Sequence, residues 1–330
     1  QGDSSVNTVT TDQIEKFASR FDAVASNVER VIQGKREAVE LVLLCLFAEG
    51  HVLIEDVPGV GKTLLAKSMA RSIDCTFTRI QFTPDLLPSD VTGVSIWDRQ
   101  ASEFVFKEGA IFANVVVGDE INRASPKTQA ALLEAMEERQ VTSDGITRTL
   151  APPFIVVATH NPLEHEGTYP LPEAQLDRFM MRVTIGYPSR TKGLEILDTH
   201  GVRSTFLDLE PVITAAEVVD MVDIARTVHV SDPVKGYIID LVESTRSNPE
   251  ILLGASPRSA LFLQRVARAR AAADGREFVA PDDVKALALP VLEHRMALRP
   301  EAQMRGTGLD KTIESVLSSL RVPSATRIAN

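Results

Sequence analysis

His51-Val52-Leu53-Ile54-Glu55-Asp56-Val57-Pro58-Gly59-Val60-Gly61-Lys62-Thr63-Leu64-Leu65 carries the strongest signal in the chain. The apolar run Val52–Ile54 suits a short buried strand. The segment from Lys62 to Ile73 places Leu64, Leu65, Ala66, Met69 and Ala70 at helical spacing. Strand, glycine loop, helix is the context in which a phosphate-binding loop makes physical sense. Glycines let backbone N–H groups turn inward on a phosphate, and a helix N-terminus adds partial positive charge. The candidate phosphate contacts are therefore Asp56, Val57, Pro58, Gly59, Val60, Gly61, Lys62, Thr63 and Leu64. Lys62 would reach the β- and γ-phosphates of ATP and Thr63 would ligate Mg²⁺. Asp56 stands where the general pattern has its first glycine, and is expected to take a left-handed turn, which Asp tolerates. The plain alternative is a glycine-rich connection with an incidental lysine.

Composition sets bounds around this loop. A chain of 330 residues has room for two domains and an ample core. Its 44% hydrophobic and 24% charged residues suit a folded globular protein. A formal net charge of −10 argues against a dedicated nucleic-acid binder, which carries a basic footprint. Cys45 and Cys75 lack metal spacing, which points to a reducing compartment. The greasy run Leu41–Ala48 is too short to span a bilayer, so no membrane insertion is expected. Gln1–Ser5 does not read as a signal peptide, and the cytoplasm is the expected location.

Downstream, Val115-Val116-Val117-Gly118-Asp119-Glu120 reads as a strand buried on both faces and ending in paired acids. In open parallel sheets ligands sit at the carboxyl ends of strands, where these acids fall. Asp119 is the candidate Mg²⁺ ligand and Glu120 the candidate general base. Phe154–Thr159 is another buried strand. It ends in His160-Asn161-Pro162, where Asn161 would either hold the attacking water or simply form a turn. Upstream, Asp12–Arg30 and Glu37–Glu49 read as helices joined at Val31-Ile32-Gln33-Gly34. Ile32 and Gly34 either pack on an adenine ring or only connect the two helices. Two hairpins are expected, over about Val91–Val105 and over Val141–Leu150 around Ser143-Asp144-Gly145.

Two other chemistries fail on spacing. Gly93-Val94-Ser95-Ile96-Trp97 lacks the second glycine and the strand of a serine-hydrolase elbow. His160, Glu164, His165 and Glu166 lie on a proline-containing loop, with the histidines five apart rather than four apart on a helix. Thr76–Phe82 and Met181–Ile185 complete the strands, and Ser125–Arg139 and Glu173–Phe179 read as helices. From Ser189 the pattern is helical, with starts at Ser189, Thr214-x-x-Glu217, Ser231, Ser256-Pro257 and Pro281. This gives an α/β domain over 1–188 and a helical domain over 189–330. Arg258 falls in the first turn of a helix, where a cation gains nothing from the dipole, so an anionic partner is expected.

Taken together, Glu55–Thr63, Asp119-Glu120-Ile121-Asn122-Arg123-Ala124, Ala131–Thr142 and Gly167–Phe179 closely resemble the MoxR-type AAA+ ATPases, relatives of magnesium chelatase. The resemblance runs from about Val31 to Met296. It implies an α/β P-loop ATPase core with a helical lid, using ATP and Mg²⁺. It further implies Asn161 as sensor 1, Arg178 as the arginine finger and Arg258 as sensor 2. The two hairpins then correspond to the helix-2 insert and the pre-sensor-1 hairpin, which face the central pore in related rings. It also implies self-assembly into a ring, a hexamer, and chaperone-like remodelling or maturation of a protein client or metal-cofactor complex. A von Willebrand factor A domain protein is the implied partner. A DNA-translocating ATPase is the alternative within the class, and a nucleotide-gated scaffold without turnover is the alternative outside it.

Overall fold

The computed structural model describes residues 9–100, 102–161, 168–200 and 205–323. Glu164, His165, Glu166 and Gly167, which entered the sequence argument, lie outside these residues. In chain order the elements are α1 (Thr11–Glu29), α2 (Arg36–Phe47), β1 (Val52–Glu55), α3 (Lys62–Ser72), β2 (Phe77–Gln81), α4 (Pro88–Thr92), β3 (Gly93–Asp98), β4 (Glu103–Glu108) and β5 (Val115–Asp119). There follow α5 (Pro126–Glu138), β6 (Gln140–Ser143), β7 (Ile146–Thr149), β8 (Ile155–His160), α6 (Glu173–Leu176), β9 (Met181–Val183) and α7 (Arg190–His200). The remainder is α8 (Ala215–Thr227), α9 (Asp232–Ser247), β10 (Ile251–Leu253), α10 (Pro257–Ala273), α11 (Pro281–Leu292), β11 (Ala297–Leu298), α12 (Pro300–Met304) and α13 (Leu309–Ser319).

The chain divides into two compact units. One comprises Arg20–Asp220; the other comprises residues 1–19 and 221–330. The boundary expected near Tyr187-Pro188 therefore falls inside the first unit.

The first unit is built on a five-stranded sheet in the order β2-β5-β8-β1-β9, with every neighbouring pair parallel. The interior strands are near-continuous Val, Ile and Ala because both faces are covered, and β5 is buried throughout. One face packs Phe82, Ile111, Val116, Leu132, Leu133, Val156 and Phe179 into a single apolar cluster. Register sets the upper edge. Gln81 lies opposite Asp119, and Glu55 lies opposite His160. The ends of β2, β5, β8 and β1 thus form one row of polar side chains, with Asn161 one residue beyond it.

Packing also trims some expected elements. The helix expected over 173–179 stops at Leu176, because the chain turns to bury Phe179 and to let Met180 N–H donate to His51 O at 2.7 Å. The last strand ends at Val183 rather than Ile185. The first hairpin sits slightly later than expected, as β3 and β4, with Trp97 opposite Phe104. The second, β6 and β7, turns at Asp144 and Gly145, both in the left-handed region.

The second unit is helical apart from the β10–β11 pair. Pro257 and Pro281 begin α10 and α11, as proline does at first helical positions. Ser256 holds the cap position, but its hydroxyl lies 3.4 Å from Ser259 Oγ and caps no amide. In the first unit, Thr214 and Glu217 do form the reciprocal box ahead of α8. Glu217 N–H donates to Thr214 Oγ1 at 3.3 Å, and Thr214 N–H donates to Glu217 Oε2 at 2.8 Å.

His51 joins two layers of the first unit. Its buried ring accepts from Val156 N–H at Nδ1, 2.9 Å, so Nε2 carries the proton that points at Met136 O, 3.0 Å away. His51→Leu would leave a buried amide and a buried carbonyl without partners. The expected loss is about 2–5 kcal/mol in chemical denaturation. A loss under ~1 kcal/mol would mean that these bonds are replaceable.

Candidate functional site

Lys62 is the first residue of α3, and its N-cap is Gly61 with φ 95°. No side chain caps α3 and no acidic residue occupies its first turn. The exposed amides and the helix dipole therefore face whatever enters the loop. Gly59 also has positive φ, 85°, and a Cβ there would meet nothing within 4 Å. A Cβ on Gly61 would lie 3.6 Å from Ile32 Cδ1, so Ile32 does flank the loop. Beside it, Gly34 adopts φ 71° near the Lys192 side chain.

The left-handed conformations of the loop belong to Gly59 and Gly61, not to Asp56. Asp56 serves differently. Its buried carboxylate accepts from Val57 N–H at 2.8 Å, Ile185 N–H at 2.8 Å and Gly186 N–H at 2.6 Å. Its amide donates to His160 O at 3.2 Å, and its carbonyl accepts from Lys62 Nζ at 2.6 Å. A glycine here could not tie the loop to the segment after β9.

The acids at the end of β5 are held by a dense set of donors. Thr63 Oγ1 lies 3.2 Å from Asp119 Oδ2, and Thr159 donates to Oδ1 at 3.2 Å. Arg79 Nε donates to Asp119 Oδ2 at 2.5 Å. Glu120 adopts a left-handed backbone, φ 55°, with its amide donating to Thr159 Oγ1 at 3.0 Å. Its carboxylate accepts from Gln81 at 3.1 Å and from Arg123 at 2.9 Å. Asn161 is buried at the end of β8, next in sequence to the residue bonded to Asp56. At the end of β1, Glu55 faces His160 Nδ1 at 3.6 Å and Arg182 at 3.2 Å. The nearby His160 ring, then the attraction of Arg182, holds its carboxyl below the usual carboxylate range.

Lys62, Thr63, Asp119, Glu120 and Asn161 thus meet along the carboxyl edge of one sheet. Arg178 follows α6, where its Nε lies 3.0 Å from Glu137 Oε2. The wholly buried Phe179 next to it fixes its backbone. Arg258 lies in the first turn of α10, in the other unit.

Sequence reasoning missed Arg79, Gln81, Thr159 and Arg123. Arg79 and Gln81 are two apart on a strand, which puts them on one side, and β2 pairs with β5. That spacing was the available signal.

Among the described residues, no group of three or more His, Cys, Asp or Glu side chains is placed to hold a metal ion. A cation here would rest on the hard oxygens of Thr63 and Asp119, plus phosphate and water, a donor set that fits Mg²⁺. Burial, then Asp74, pushes the Cys75 thiol up to about 12, so at neutral pH it is no nucleophile. Among the described residues no helix is long and apolar enough to cross a membrane.

The comparisons with known proteins agree with this geometry. Residues 51–181 match the ATPase family associated with various cellular activities (AAA), and residues 243–317 match the AAA lid domain. The chain is 49% identical over 297 residues to the protein named YeaC of Bacillus subtilis (strain 168), covering 90% of this chain and 93% of that one. It is 39% identical over 310 residues to Chaperone MoxR1 of Mycobacterium tuberculosis, covering 91% and 82% respectively. A crystal structure from Cytophaga hutchinsonii superposes with a TM-score of 0.88 at 36% identity, over 95% of this chain and 98% of that one. With a parallel sheet, a glycine loop at a helix start and a lid match, the chain belongs to the MoxR family of AAA ATPases.

Proposed function

We propose that this chain hydrolyses ATP with Mg²⁺ and works in a ring, a hexamer, as a chaperone-like remodelling or maturation factor for protein complexes. The observation that carries the reading is the convergence of Lys62, Thr63, Asp119 and Glu120 at the uncapped start of α3. Amides of the loop bind the phosphates, and Lys62 turns from Asp56 O to their oxygens. Thr63 and Asp119 would hold the metal, which would supply positive charge against the phosphates. Glu120 takes a proton from the water that attacks the γ-phosphorus, the bond to the β-phosphate oxygen breaks, and ADP leaves. Asn161 orients that water. Ile32 and Gly34 flank the base, and Arg178 and Arg258 add charge to the γ-phosphate, Arg178 from the neighbouring subunit.

The remodelling role draws on a relative named as a chaperone, and a von Willebrand factor A domain protein in the cytoplasm is the proposed partner. The hairpins support a protein client. Trp97 and Phe104 are 53% and 71% exposed, and their rings meet edge-to-face with centroids 5.2 Å apart. Phe106, on the same side of the hairpin, stacks on Arg148 of β7 at 3.7 Å, which joins the two hairpins into one surface. Exposed apolar patches of this kind mark contacts. Trp97→Ala is expected to leave stability within about 0.5 kcal/mol, as at exposed sites, while weakening capture of a protein client at least about tenfold. The fluorescence of this sole tryptophan should shift on binding. Lost stability with unchanged client binding would refute the contact.

The test of function is phosphate release from ATP with and without double-stranded DNA. Turnover that ignores DNA supports the protein-remodelling reading. DNA stimulation favours translocation, and ATP binding without turnover favours a scaffold.

A further inference from the structure

Asp119 carries two demands on one carboxylate. Its Oδ2 lies 3.2 Å from Thr63 Oγ1, the pair that would hold the divalent cation, and 2.5 Å from Arg79 Nε. Oδ1 is taken by Thr159 at 3.2 Å. A guanidinium at hydrogen-bond distance and a divalent cation compete for the same oxygen, and their like charges repel. The two partners differ sharply in burial. The Asp119 side chain is 9% exposed, whereas that of Arg79 is 53% exposed and projects from the edge strand β2. Burial and three donors hold Asp119 in place, while Arg79 is open to solvent. Arg79 also donates to Gln81 Oε1 at 3.0 Å, and Gln81 donates to Glu120 at 3.1 Å, so one side chain is bonded towards both acids.

We infer that Arg79 is a built-in competitor of the metal. It neutralises and aligns Asp119 beside Thr63, must withdraw when a divalent cation binds, and so lowers the affinity of the site for that cation. The inference rests on the ATP–Mg²⁺ reading above. The protein offers few ligands of its own there, since among the described residues no cage of three His, Cys, Asp or Glu exists. One neighbouring charge therefore weighs heavily. Arg79 acts through Asp119 and is a positioning residue.

The test is a Mn²⁺ titration of the full chain with equimolar ADP, reading free Mn²⁺ by room-temperature electron paramagnetic resonance. No turnover enters the measurement. Removing a unit charge a few ångströms from the ion in a half-exposed site should change affinity about tenfold. Arg79→Ala is expected to bind Mn²⁺ about tenfold more tightly than the wild type. Arg79→Lys, which keeps the charge without the fork, should stay within about threefold. Asp119→Asn should lose the site in either background. Equal or weaker Mn²⁺ binding by Arg79→Ala, with or without a lower melting temperature, overturns this inference and leaves the ATPase reading standing. Failure of the wild type to bind Mn²⁺ with ADP overturns both.

Discussion

Glu120→Gln is expected to bind ATP as the wild type does and to lower the hydrolysis rate at least about a hundredfold. The size follows from general-base catalysis, which contributes about 10²–10⁴ in rate. The substitution is nearly isosteric and removes only the ability to take a proton. Asp119, which faces Thr63, is untouched, so the metal should still be held. The bonds around Glu120 do not foreshadow a collapse of the fold. Gln81 and Arg123 are exposed, and an amide oxygen can accept from both. Binding is read with a fluorescent ATP analogue and hydrolysis by phosphate release. Normal turnover by Glu120→Gln would remove Glu120 as the base. Loss of binding would make it a structural residue.

The larger effect is expected at Arg178, and it belongs to the assembly. Within one chain Arg178 meets Glu137 at 3.0 Å, with side chains 29% and 34% exposed. As an ion pair alone it would contribute at most about 1 kcal/mol to stability and nothing to turnover. As a finger against a neighbour's γ-phosphate it would contribute on the order of 10³–10⁵ in rate. The readings separate on two measurements. If the pair is all that matters, Arg178→Ala and Glu137→Gln should behave alike, with turnover intact in both. If Arg178 acts in trans, Arg178→Ala alone loses turnover and Glu137→Gln keeps most of it. Arg178→Ala mixed with Glu120→Gln should then recover part of the activity, because an intact Arg178 from one subunit meets an intact Glu120 in the next. No recovery despite demonstrated co-assembly, or full activity of Arg178→Ala by itself, would defeat the assignment.

The sheet was legible because burial on two faces leaves an unbroken apolar signature, as in Val115–Val117 and Ile155–Ala158. The hairpin around Asp144-Gly145 was legible because its turn needs left-handed residues. Contacts made across the sheet left no such mark. Asp56 read as a glycine substitute, yet its carboxylate serves three amides, two of them about 130 residues away in sequence. Arg79 was not singled out within the strand Thr76–Phe82, and the β2–β5 pairing is what sets it against Asp119. In the second unit, α13 has just three buried positions, Thr312, Ile313 and Val316, and it follows Gly306-Thr307-Gly308. So short a stripe after such a break carries little periodic signal.

The loop at Lys62 and the acids at Asp119 and Glu120 are proposed to form one ATP-hydrolysing site. Single-turnover hydrolysis of radiolabelled ATP by the assembled wild type, with Lys62→Ala beside it, tests this most directly. ADP formation is expected to require Mg²⁺, to be blocked by chelation, and to fall to background in Lys62→Ala because the phosphates lose their cation. Hydrolysis that persists in Lys62→Ala, or none by the assembled wild type with Mg²⁺ present, would contradict it.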